Sequence, residues 1–157
     1  MKRRCFTLSE LVVLVLLLAV MAVLLLYTLG CMDKRRKARQ LRCITNLNKL
    51  QEALCMYGDD NRSYLPDKDN APGLATLLRL NYINDTRLFV CPGTKDTPAE
   101  NWQALMADGD RHCSYAYKGA LYMNDLTPQT IILQDKPGNH RRLQHSIMGD
   151  FSVVQRK

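Results

Sequence analysis

The sequence predicts an α+β protein: one long N-terminal helix, membrane-spanning in its first half, packed against a small antiparallel-sheet head. Three observations predict it. Leu11–Leu29 is an unbroken apolar run flanked by basic residues. Directly after that run, apolar residues recur every three or four positions as far as Tyr57, the period of a helix with one buried face. Past position 60 the chain turns to short β-like pieces separated by turn residues. At 157 residues this is one modest domain plus its anchor.

Residues 1–5, with Lys2, Arg3 and Arg4, read as a basic leader, and residues 6–30 as a transmembrane helix. Leu11–Leu29 holds no formal charge and, at ~1.5 Å per residue, spans about 28 Å, the depth of a bilayer core. A cleaved secretory signal is the competing reading. Its apolar part is shorter, about 7–15 residues, and ends at small residues of an A-x-A kind, which this run lacks. Thr28-Leu29-Gly30-Cys31 offers a second alternative, a lipoprotein box with an acylated Cys31, but Thr28 stands where that box has Leu.

Residues 31–60 read as the amphipathic continuation of the same helix. Lys34–Arg42 contains neither Pro nor Gly, so nothing stops the helix as it leaves the bilayer. Leu41, Ile44, Leu47, Leu50, Leu54 and Tyr57 form the stripe on which a head would pack, and Gly58-Asp59-Asp60-Asn61 ends the helix. A coiled-coil partner is the weaker use of that stripe, which lasts little more than two heptads.

Residues 61–157 read as a globular α+β head. Asp67–Gly73 is loop-like and Leu74–Leu80 suits a short helix. The β-like pieces are Leu88-Phe89-Val90, Ser114-Tyr115-Ala116-Tyr117, Thr130-Ile131-Ile132-Leu133 and Ser152-Val153-Val154, and Pro137-Gly138-Asn139 is a turn.

Charge excludes one class of function. The chain carries +7, but residues 1–42 hold nine Lys/Arg against Glu10 and Asp33, whereas residues 43–157 hold thirteen of each sign. All the excess charge flanks the apolar run, where it meets anionic lipid headgroups, so membrane lipid is an expected partner and nucleic acid is not. Three basic residues precede the run and at least five follow it closely, a count that on its own would place the C-terminal part in the cytoplasm.

Catalytic chemistry is not visible. The chain has no P-loop, dinucleotide fingerprint or G-x-S-x-G elbow, so it reads as a non-enzyme with no cofactor. Cys91, His112, Cys113 and His140 can be assembled into a zinc site on paper, yet no C-x-x-C pair is present, and no metal ligand is assigned from the sequence. Cys91 and Cys113 are the only cysteines after the long helix. In an oxidising compartment they are the natural disulfide pair, closing a loop worth ~3 kcal/mol; the alternative is two free buried thiols.

Lys2-Arg3-Arg4-Cys5-Phe6-Thr7-Leu8-Ser9-Glu10, followed at once by the apolar helix, resembles the N-terminus of type IV prepilins and type II secretion pseudopilins. Cys43-x-x-Asn46-Leu47, Met56-Tyr57-x-Asp59-Asp60-Asn61, Tyr64-Leu65-Pro66, Phe89-Val90-Cys91-Pro92 and Pro137-Gly138-Asn139-His140 extend the resemblance towards major-pseudopilin-like heads. It implies a pilin-like subunit of a type II secretion or type IV pilus-like assembly, single-pass in the inner membrane, with its head on the periplasmic side. It also implies cleavage between Cys5 and Phe6 by a prepilin peptidase, methylation of the Phe6 amine, and contact with other pilin-like subunits through the N-terminal helix. The family carries Gly where Cys5 stands, and many members carry Pro where Tyr27 stands. Gly149-Asp150-Phe151-Ser152-Val153 falls where relatives often read Asp-Gly-His-Val. A plain membrane-tethered binding domain that never polymerises is the rival function.

Glu10 is the residue that the resemblance makes significant. A carboxylate inside hydrocarbon is costly and usually pairs with another charge. Cleavage before Phe6 frees an ammonium at about the same depth, so a neighbouring subunit's amine can neutralise Glu10 as helices pack into a filament. The alternative is that Glu10 reaches the headgroups and is solvated there.

Overall fold

A computed structural model describes residues 8–140 and 143–156. It comprises two units, which meet within the first helix: one runs through Ala38 and the other begins at Arg39. Helix α1 covers Leu8–Asp60, so the uninterrupted helix expected across the basic segment is present.

In the first unit the helix is apolar and none of its apolar window is buried. It is long and apolar enough to span a membrane. Every large side chain from Leu11 to Leu18 is about half exposed or more, which in water would waste the burial each could gain.

The second unit contains residues 39–60 of α1 together with all later elements. Leu47, Leu50 and Leu54 are fully buried, as the stripe predicts. Its start is corrected: Leu41 is 66% exposed and Cys43 takes the buried place instead. Positions 43, 47, 50 and 54 are separated by four, three and four residues, which keeps them on one helical face. Arg62 and Ser63 both adopt left-handed backbone (φ 55° and 65°), which stops α1, and the Asn61 side chain donates to the Tyr57 carbonyl at 2.8 Å.

Helix α2 spans Asn70–Arg79 and starts four residues before the expected Leu74. Pro72 falls in its first turn, where a missing N–H costs nothing. Gly73 lets α2 approach the sheet: a Cβ there would lie 2.8 Å from the Tyr117 ring. A 3-10 turn, Thr86–Phe89, replaces the β-like piece expected at Leu88-Phe89-Val90. Asp85 explains the change, because its carboxylate accepts from the Arg87 backbone N–H at 3.0 Å and pairs with the Arg87 guanidinium, capping the turn. Short helices α3 (Trp102–Ala107) and α4 (Gly109–His112) follow.

Among the described residues the sheet has four strands in the order β1 (Tyr115–Tyr117), β2 (Ile131–Asp135), β3 (Gln144–Met148) and β4 (Val153–Arg156), each antiparallel to the next. The α+β class with a small antiparallel sheet is therefore present. β3 was not expected, because Gln144-His145-Ser146 carries no apolar alternation; in the fold His145 and Ser146 are fully buried. A register shift between Ile131 and Leu133 lets Ile132 turn into the core. Tyr115, Leu133 and Ile147 join Leu47, Leu50, Leu54 and Phe89 in one core cluster.

Candidate functional site

The buried end of this core is polar. Asp135 closes β2, and its side chain is 2% exposed. Such a carboxylate needs donors. Both the backbone N–H and the Nδ1 of His145 on β3 donate to its Oδ2, at 3.0 and 2.8 Å, and the Cys43 thiol on α1 donates to its Oδ1 at 3.3 Å. His145 Nε2, on the far side of the ring, is buried with no hydrogen-bond partner among the described residues.

His140 enters from the turn after β2. Asn139 anchors that turn by donating to the Ser114 carbonyl at 2.6 Å, and Gly138 supplies the left-handed backbone (φ 96°) that a side chain would disfavour. The His140 side chain is 5% exposed, and its Nε2 lies 3.8 Å from Asp135 Oδ2 and 3.2 Å from the Cys91 sulfur. Gly93 permits this approach, since a Cβ there would sit 2.7 Å from the Asn139 carbonyl oxygen. Cys91 is held by its own N–H, which donates to Ser114 Oγ at 2.9 Å, and its sulfur accepts from the Gly93 N–H at 3.4 Å.

The two sulfurs are also adjacent. The neighbouring Cys91 sulfur, with burial adding to the effect, drives the Cys43 thiol far above the ordinary thiol range, and Cys43 in turn draws Cys91 below that range. Burial lowers His140, which keeps its imidazole neutral near pH 7 and a lone pair available. One donor atom each from Cys43, Asp135, His140 and His145 all fall within 4.8 Å of one another.

Compared with protein-family models, curated proteins and solved structures, the chain has no match. Its functional reading therefore stands on its own residues.

The zinc set that can be drawn on paper is divided by the fold. Cys91 and His140 come together, while His112 donates from Nδ1 to the Thr97 carbonyl at 2.7 Å and Cys113 donates to the Tyr115 carbonyl at 3.4 Å. The Cys91–Cys113 disulfide is likewise absent: both are free, buried cysteines whose sulfurs have the separate partners just named. Cys43, Asp135 and His145 were missed. The available signal was the place of Cys43 in the 43, 47, 50, 54 stripe, which makes it a core residue and not a helix-surface one. Of the N-terminal residues singled out above, Glu10 lies exposed in the first turn of α1, and Cys5 and Phe6 fall outside the described residues.

Nucleophilic catalysis suits the cluster poorly. A Cys–His–Asp triad sets thiol and acid on opposite nitrogens of the histidine. Here both Cys91 and Asp135 face Nε2 of His140, and Cys91 is fully buried from any substrate.

Proposed function

We propose that the chain is a non-enzymatic pilin-like subunit, a pseudopilin of a type II secretion or type IV pilus-like assembly, anchored by its N-terminal helix in the inner membrane with its head on the periplasmic side. The observation that carries this reading is the change of character along α1. Its first half is an apolar surface with nothing buried, and residues 43–54 place a stripe in the core of an antiparallel-sheet head. A helix built that way has one half for lipid or for other helices and one half for its own domain. The basic leader and Phe6-Thr7-Leu8-Ser9-Glu10 supply what a peptidase and a neighbouring subunit would recognise. The buried, unreachable thiols of the head support a role in assembly over catalysis.

Glu10→Ala and Glu10→Gln test the assembly role. Removing the charge makes the anchor more apolar, so insertion is retained. Loss of higher assemblies at equal membrane level, read by crosslinking, is the expected result. Assembly by Glu10→Ala equal to wild type excludes the pairing of Glu10 with a neighbour's amine.

A further inference from the structure

We infer that the head holds one zinc ion, bound by the thiolates of Cys43 and Cys91, the Nε2 of His140 and one carboxylate oxygen of Asp135. The inference is independent of the assembly reading, since it concerns the head alone. The sequence assigned no metal ligand; the folded chain brings these four together from α1, from the segment after the 3-10 turn, from the end of β2 and from the turn that follows it.

Spacing is the first ground. In a tetrahedral zinc site with Zn–S about 2.3 Å and Zn–N or Zn–O about 2.0–2.2 Å, neighbouring donor atoms stand about 3.4–3.8 Å apart. Cys43 Sγ to Asp135 Oδ1 is 3.3 Å, Cys91 Sγ to His140 Nε2 is 3.2 Å and His140 Nε2 to Asp135 Oδ2 is 3.8 Å. Three of the six donor–donor separations thus lie close to those of a zinc site, the two to Asp135 falling on different oxygens of its carboxylate, and donor atoms of Cys43, Asp135 and His140 all lie within 4.8 Å of one another.

Chemistry is the second ground. Two sulfurs, an imidazole and a carboxylate form a soft-to-borderline set that suits zinc and not calcium or magnesium. Binding exchanges the thiol protons of Cys43 and Cys91 for Zn–S bonds, and the protons leave to solvent. Two thiolates and one carboxylate then face a dication in a site that excludes water. His145 is the outer partner: its Nδ1–H at 2.8 Å and its backbone N–H at 3.0 Å fix the Asp135 carboxylate from behind, as ligating carboxylates require. Tyr115, whose hydroxyl is 3.6 Å from Cys43 Sγ, and the Gly93 N–H at 3.4 Å from Cys91 Sγ stabilise the two thiolates.

Burial is the third ground. All four donor side chains are nearly or fully buried, so the ion would be structural, closed to substrate, and would pin α1 to the sheet.

The test uses the full chain in detergent, reduced, stripped of metal and titrated with cobalt(II) and then zinc. One cobalt per chain is expected, with the visible bands of a tetrahedral ion and thiolate-to-cobalt charge transfer in the near ultraviolet, both abolished by one equivalent of zinc. Cys43→Ser and Cys91→Ser should each lose part of the charge transfer and the double variant all of it. Cys113→Ser, equally buried but outside the cluster, should keep the full spectrum. The wild-type spectrum does not depend on any variant folding. A wild-type chain that gives no tetrahedral cobalt spectrum, a double variant that keeps the charge transfer, or a Cys43–Cys91 disulfide in chain extracted under alkylating conditions would each overturn the assignment.

Discussion

Cys43 Sγ donates to Asp135 Oδ1 at 3.3 Å although ninety-two positions separate the two residues, so this one contact joins the long helix to the end of β2. Asp135 also accepts twice from His145. Asp135→Ala leaves buried donors of Cys43 and His145 without an acceptor, and each orphaned donor costs about 1–3 kcal/mol. A loss of roughly 3 kcal/mol or more is predicted, read as a lower urea midpoint of the metal-free head transition.

Leu54→Ala and Leu41→Ala test the register of the buried stripe. Leu54 is fully buried, and its truncation is predicted to cost about 2–5 kcal/mol. Leu41 is 66% exposed, and its truncation should stay within about 0.5 kcal/mol. The comparison is made by thermal unfolding of the two variants side by side. Equal losses would restore Leu41 to the packed face.

The helix was legible because a membrane run and a 3.6-residue period are both local patterns. Strands β1, β2 and β4 were legible for the same reason, since Tyr115-Ala116-Tyr117, Ile131-Ile132-Leu133 and Val153-Val154 are rich in β-branched or aromatic residues. β3 was not: His145 and Ser146 are buried for polar reasons, as partners of Asp135 and the strand ladder, and no apolar alternation marks them. The metal-ligating cluster was hidden for a different reason. Its donors stand at 43, 91, 135 and 140, so only His140 and Asp135 are close in the chain, and the search for closely spaced cysteine pairs could not find them. The disulfide expectation failed at the same point, because Cys91 turned out to face Cys43 and His140 and not Cys113.

Gly73→Ala is predicted to destabilise the head by about 1–3 kcal/mol, since its Cβ would press on the buried Tyr117 ring and on the Lys68 backbone carbonyl. Differential scanning calorimetry against wild type reads the effect. An unchanged midpoint would mean that α2 can shift away from β1 without loss.

Cys113 should resist alkylation in the native protein. It is fully buried, and burial pushes its thiol up to about 11. At pH 8 that leaves the reactive thiolate at about one part in a thousand of the thiol. The thiolate fraction should grow tenfold per pH unit towards 11, so labelling, measured by peptide mapping after timed iodoacetamide, should rise with pH while remaining limited by access. Cys31 and Cys55, which are partly exposed, should label before it. Fast labelling of Cys113 at pH 8 would contradict its packing.

Intact-mass and N-terminal sequence analysis of the protein extracted from membranes tests the pilin-like reading most directly. The predicted species begins at Phe6 and carries a methylated amine. A chain that still begins at Met1 and runs to Lys157, or one that begins at an acylated Cys31, would contradict it.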